Sequence, residues 1–67
     1  MFSSVLEGLK ILAKYLPDTD GYYVGAEHDE LYVYEVKTDE ITEEDRKRLE
    51  ELGWDQGEDE GVWERYV

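Results

Sequence analysis

Residues 22–36 read YYVGAEHDELYVYEV, and this stretch decides the class of fold. Residues 22–26 and 31–36 are rich in tyrosine and valine, side chains that favour β-strands. The polar residues 27–30 between the two runs have the length and composition of a hairpin connection. The stretch therefore predicts an antiparallel hairpin.

Side-chain alternation divides each predicted strand into two faces. In the second strand Leu31 and Val33 lie on one face, whereas Tyr32, Tyr34 and Val36 lie on the other. Both faces carry apolar groups, so the pattern does not indicate which face packs against the rest of the chain.

An amphipathic helix is predicted upstream, over residues 2–16. Its apolar side chains recur every three or four positions, which is the spacing of one helix face. They are Phe2, Val5, Leu9, Leu12 and Leu16. Ser3 or Ser4 suits the N-cap of this helix. Pro17 ends it, because the residue before a proline is displaced from the helical conformation.

A second helix is predicted from about residue 43 to residue 52. Thr42 precedes Asp45 by three positions, which is an acidic variant of the capping box. Gly53 is a typical residue just beyond a helix end. Few side chains of this segment are apolar, so most of its surface must face solvent.

A second hairpin is predicted at the end of the chain. Residues 54–56 and 62–67 flank an acidic loop, residues 57–61, that begins and ends with glycine. Alternation places Trp63 and Val67 on one face of the last strand. The elements together predict a small single domain over the whole chain, an α+β fold of order α-β-β-α-β-β. Its antiparallel sheet would have two helices packed on one face.

Composition excludes several classes of function. The 67 residues carry 19 acidic and 7 basic side chains, for a net charge of −12. Such a surface repels the phosphates of DNA, RNA and anionic membranes, so none of these is an expected partner. The absence of cysteine excludes disulfides and thiolate metal sites, and it favours a reducing, cytoplasmic location.

The polar residues do not form a recognisable catalytic or metal-binding motif. His28 is the single histidine and lies in a predicted turn, and the serines lie at the start of a helix. Asp18 and Asp20 begin an EF-hand-like pattern, but Tyr22 occupies the fifth position, which needs an acid, and Asp29 occupies the twelfth, which needs a glutamate. We therefore expect a protein that is not an enzyme and that needs no cofactor or metal.

The negative charge is unevenly distributed along the chain. Residues 1–17 have a net charge of +1, and residues 18–36 carry six acids and no base. Residues 39–60 hold eleven acids and three bases, a net charge of −8. Acids one helical turn apart are separated by roughly 5–6 Å, which is comparable to phosphate spacing in nucleic acid. The second half of the chain thus has the charge pattern of a nucleic-acid mimic.

The second half also resembles a family of short uncharacterised acidic proteins of phages and bacterial mobile elements. Its sequence runs ITEED from Ile41, LEELGW from Leu49, an acidic gap, and then Trp63 and Tyr66, and HDELY from His28 fits the same pattern. The similarity covers residues 28–67. It implies a small accessory protein that binds and blocks host machinery, with no catalytic residues to carry over.

The leading hypothesis is a protein-binding module, an inhibitor that occupies a basic, nucleic-acid-binding surface of a host protein. The residues expected to bind the partner are Asp39, Glu40, Glu43, Glu44, Glu50, Glu51, Asp55, Glu58, Asp59 and Glu60, with Tyr32 or Tyr34 as an aromatic anchor. One alternative is a self-associating or structural domain, such as a homodimer, whose charge serves only solubility. Another is a weak calcium-binding module built on the loop acids.

Overall fold

A computed structural model describes residues 2–66 and has the predicted α+β architecture. Its elements, in chain order, are helix α1 (Phe2–Ala13), strands β1 (Val24–Glu27) and β2 (Glu30–Val33), a 3-10 turn (Thr38–Glu40), helix α2 (Glu43–Glu51), and strands β3 (Asp55–Gln56) and β4 (Trp63–Tyr66). The four strands form one antiparallel sheet in the order β1-β2-β4-β3. The order α-β-β-α-β-β is therefore confirmed.

The first helix begins at the predicted residue, but it ends three residues early and its predicted serine cap is wrong. Residues 14–16 leave α1 through short turns, with hydrogen bonds from Lys14 N–H to the Ile11 carbonyl and from Leu16 N–H to the Ala13 carbonyl. This tightening prepares the chain for Pro17, which has no N–H to continue the helix. Ser3 and Ser4 lie inside α1 and do not cap it.

The second helix has the predicted caps. The Thr42 side chain accepts a hydrogen bond from Asp45 N–H at 3.1 Å. At the other end Gly53 has a φ of 90°, and its N–H bonds to the Glu50 carbonyl while Trp54 N–H bonds to the Leu49 carbonyl. This pair of bonds is the Schellman arrangement, which glycine permits because it has no Cβ.

Both strands of the first hairpin are shorter than predicted. Glu27 pairs with Glu30, so the connection is a two-residue turn in which His28 has a φ of 55°. The second strand ends at Val33 because Glu35 adopts a φ of 59° and turns the chain. Val36 is consequently buried, although simple alternation places it on the same face as Tyr32 and Tyr34.

The sheet face that packs on the helices is the one that carries Val33 and Trp63. These two residues are cross-strand neighbours, and each is 1% exposed. They form one core with Leu12 of α1 and Leu49 of α2. The remaining core side chains come from the connections: Val36, Ile41, Leu52 and Trp54. Val67, which the sequence pattern places on the same strand face as Trp63, lies outside the described residues.

Thr38 supplies a polar contact inside this core, and its replacement by valine is a test of that contact. Its hydroxyl accepts a hydrogen bond from Trp63 Nε1 at 3.2 Å and is buried. Thr38→Val keeps the side-chain shape but leaves the indole N–H unpaired. We expect the free energy of unfolding to fall by about 1–3 kcal/mol in urea denaturation. A Thr38→Ser variant retains the acceptor; an equal loss in Thr38→Ser would contradict this role.

Candidate functional site

The sheet face turned away from the helices is the most distinctive surface of the protein. Cross-strand pairing places its side chains in rows: Gly25, Tyr32, Glu64 and Asp55 form one row, and Glu27, Glu30 and Tyr66 form the next. A depression of about 460 Å³ lies on this face. We call the surface that lines this depression the open face. Its residues are Glu27, Glu30, Tyr32, Tyr34, Glu58, Asp59, Val62, Glu64 and Tyr66.

Two tyrosine rings form the floor of the open face. Tyr32 and Tyr34 stack with centroids 6.2 Å apart and ring planes inclined by 14°. Tyr34 extends across Gly25, where an added Cβ would lie 2.5 Å from the tyrosine hydroxyl. Glycine at this position thus provides the space for the ring. Tyr66 adds a third ring, which is 68% exposed. Exposed aromatic rings of this kind bind cations through their negative faces.

The charge of the open face is entirely negative. Five carboxylates line it, and its described lining contains no lysine or arginine. Partial burial raises the pKa of the Tyr32 hydroxyl, and the neighbouring Glu30 carboxylate raises it further. The hydroxyl is therefore held in its protonated form, in which it acts as a hydrogen-bond donor to a neighbouring carboxylate. The face combines flat aromatic surface, carboxylate acceptors and hydroxyl donors.

The acids of α2 belong to a different surface, on the helix side of the sheet. Their field is reduced by bases of the same layer: Arg48 bonds to Glu7 of α1 through Nε at 2.6 Å and Nη2 at 2.9 Å, and to Glu51 at 3.1 Å. Lys14 forms a further ion pair with Asp45 at 2.7 Å. Helix α2 is therefore less negative as a surface than its count of acids indicates.

The predicted binding residues thus divide between two sides of the molecule. Tyr32, Tyr34, Glu58 and Asp59 line the open face, and Asp55 shares a row with Glu64 on the same side of the sheet. The others lie elsewhere, all exposed: Asp39 and Glu40 on the 3-10 turn, Glu43, Glu44, Glu50 and Glu51 on α2, and Glu60 in the β3–β4 loop.

Sequence reasoning missed four polar or aromatic residues of the open face: Glu27, Glu30, Glu64 and Tyr66. The signal that identifies them is alternation. Glu30 has the same parity as Tyr32 in β2, and Glu64 has the same parity as Tyr66 in β4. Their assembly into one surface depends on the β2–β4 pairing, which joins distant parts of the chain.

On the helix side, Asp45 connects the end of α1 to the start of α2. Its carboxylate accepts a hydrogen bond from the Tyr15 hydroxyl at 2.5 Å and pairs with Lys14 at 2.7 Å. The Lys14 contact, followed by that of Tyr15, holds the pKa of Asp45 below its usual range. The deprotonated carboxylate is therefore the form that the folded structure favours.

This network predicts an acid-sensitive component of stability. Because folding lowers the pKa of Asp45, its contribution is complete above the ordinary pKa of about 3.9 and is lost as pH falls through the folded value. Asp45→Asn should therefore flatten the decline in the free energy of unfolding below about pH 4. Urea denaturation across pH measures this, and Asp39→Asn controls for net charge. Parallel curves for wild type and Asp45→Asn would contradict the prediction.

The described part of the chain contains neither a cluster of metal-ligating side chains nor a membrane-spanning helix. Residues 2–66 contain no group of three or more histidine, aspartate or glutamate side chains placed to hold a metal ion. Neither helix in that range has the length and apolar character needed to cross a lipid bilayer.

Comparisons with protein-family models, curated proteins and solved structures found no match to this chain.

Proposed function

We propose that this protein is a non-enzymatic binding module that recognises a basic segment of another protein through its open face. The observation that carries the proposal is the composition of that face. Five carboxylates lie around two stacked tyrosine rings, and the described lining contains no lysine or arginine; His28 of the β1–β2 turn lies 4.0 Å from Glu27. The negative charge of such a face is balanced when a cationic partner binds to it.

The chemistry of the open face favours arginine and lysine side chains. A cation over an exposed tyrosine ring contributes about 0.5–1 kcal/mol, and more when the contact excludes water. Each carboxylate at the rim adds about 0.2–1 kcal/mol and draws the partner in through its long-range field. The rings make the specific contacts, and the carboxylates raise the rate of association and orient the partner.

The family resemblance gives this proposal a biological setting. A phage or mobile-element accessory protein with such a face would bind a host protein at a basic surface that otherwise holds nucleic acid. The acids of the β3–β4 loop border the open face, so the phosphate-mimic hypothesis applies to Glu58 and Asp59 in preference to α2.

Charge reversal on the two sides of the molecule tests the proposal. The open-face pair Glu30→Lys and Glu64→Lys changes the net charge by the same amount as the helix pair Glu43→Lys and Glu50→Lys. The probe is a short peptide of alternating lysine and valine, and its affinity is measured by fluorescence anisotropy at low and high salt. We expect the open-face pair to weaken binding about tenfold and the helix pair to weaken it less than about threefold.

The matched pairs separate a specific face from overall charge. Equal losses of affinity in both double variants would show that the peptide responds only to net charge. That result would favour the alternative in which the charge serves only solubility. The absence of binding at low salt would overturn the proposal. Thermal unfolding of each variant confirms that the fold is retained.

A further inference from the structure

Strand β1 is an edge strand, and within residues 2–66 no strand lies along its outer side. The sheet order places β1 at one end, paired only with β2. The hydrogen bond from Tyr34 N–H to the Tyr23 carbonyl fixes the alternation along this edge. Because bonding positions alternate in an antiparallel pair, Gly25 and Glu27 direct their backbone groups towards β2. Val24 and Ala26 direct theirs outward.

This edge is only partly protected against pairing. Natural edge strands are guarded by short length, charged side chains, proline, bulges or a covering segment. Strand β1 is four residues long and has one charged residue, Glu27 at its end, whereas Val24, Gly25 and Ala26 are uncharged and none of the four is proline. Tyr22 is fully exposed, Val24 is 57% exposed, and Ala26 is exposed. The outward donors and acceptors of β1 are therefore accessible to another extended chain.

The two sides of an added strand would meet different surfaces. On the helix side, a groove of about 390 Å³ lies next to β1 and includes Leu9, Leu16, Val24 and Val33 in its walls. On the other side lies the open face, where Glu27 of β1 borders the depression. Alternate side chains of a fifth strand would thus enter an apolar groove and an acidic, tyrosine-bearing surface.

We propose that the basic partner segment binds as a fifth strand along β1. This inference rests on the proposed function and specifies its geometry. Valine-, leucine- or isoleucine-like side chains at every second position fill the groove, and lysine or arginine at the positions between reach the open face. Backbone hydrogen bonds to Val24 and Ala26 supply affinity, and the two surfaces supply sequence selectivity.

Electrostatic repulsion disfavours a second copy of the protein at this edge and favours a basic segment. Acids lie at both ends of β1, with Asp18 and Asp20 before it and Glu27 and Asp29 at its end. Antiparallel pairing of two β1 strands brings acids of one copy to acids of the other, in molecules that each carry a net charge of −12. A cationic segment has the opposite charge to these ends.

Amide hydrogen exchange tests the geometry directly. The probes are the alternating lysine–valine peptide and a peptide of the same composition with lysines and valines in separate blocks. With the alternating peptide, the outward amides of Val24 and Ala26 should exchange at least about tenfold more slowly, because they gain hydrogen bonds. The amides of Gly25 and Glu27, already paired with β2, should change little. The block peptide should produce neither effect.

A proline variant supplies a second measurement. Ala26→Pro removes an outward N–H and leaves the β1–β2 ladder complete. It should weaken the alternating peptide about tenfold, whereas Ala26→Thr, which keeps the N–H, should bind nearly as wild type. If the exchange rates of the Val24 and Ala26 amides do not change and both peptides bind equally well, strand addition is wrong, while recognition by the open face still stands. Failure of both peptides to bind would overturn the proposed function as well.

Discussion

Trp63→Ala is expected to lower the free energy of unfolding by about 3–5 kcal/mol, the range for truncating a large buried aromatic. The indole is 1% exposed and lies beside Val33 at the centre of the sheet. Its Nε1 donates to Thr38 at 3.2 Å, and the Arg46 guanidinium lies 5.8 Å from the ring centroid. Small domains are stable by only about 5–15 kcal/mol, so the variant should be largely unfolded at modest urea concentrations.

Tyr66→Ala is the matched control, because it removes an aromatic ring from the same strand on the opposite face. Tyr66 is 68% exposed, so the change in stability should remain within about 0.5 kcal/mol. Fluorescence of Trp54, which is fully buried, reports unfolding in both variants. Comparable destabilisation by the two replacements would show that the open face takes part in the core. Retained stability with weakened peptide binding is the expected result for Tyr66→Ala.

Gly8→Ala is expected to destabilise the protein, although the same change stabilises most helices. Alanine in a helix interior is favoured over glycine by about 0.8–1 kcal/mol. Here Gly8 lies against the indole of Trp54, and an added Cβ would be 2.5 Å from Cδ1 and 2.6 Å from Cε2 of that ring. Since the ring is fully buried, the helix must move away. We expect a net loss of about 1–3 kcal/mol, measured by urea denaturation.

A second-site replacement tests whether this contact is the cause. Trp54→Leu shortens the side chain that the new methyl group meets, at a cost of its own in stability. In that background Gly8→Ala should lose most of its penalty and recover part of its helical preference. Additive effects of the two changes would contradict the steric explanation.

The local parts of the fold were predictable from the sequence because their signals are local. The apolar spacing of the first helix, the Thr42 cap and the Gly53 terminus each depend on residues within a few positions of one another.

The choice of sheet face was not predictable, because both faces of the first hairpin carry apolar side chains. Pairing with β4 resolves it, since Val33 then lies beside Trp63 while Tyr32 lies beside Glu64. The side of the sheet on which the acids of the β3–β4 loop lie was not predictable either, because it depends on the path of the chain after α2. The sequence groups Glu58 and Asp59 with the acids of α2, but chain reversal after α2 carries them to the other side of the sheet.

The pairing of β2 with β4 also bears on how fast the chain folds. Strands β1 and β2 are joined by two residues, so their hairpin closes a minimal loop and is expected to form within microseconds. The whole of α2 and β3 separates β2 from β4, so joining them costs more loop-closure entropy. We therefore expect that formation of the β2–β4 pairing, which brings Val33 next to Trp63, is the rate-limiting step of folding. Shortening the connection would speed folding more than strengthening the first hairpin.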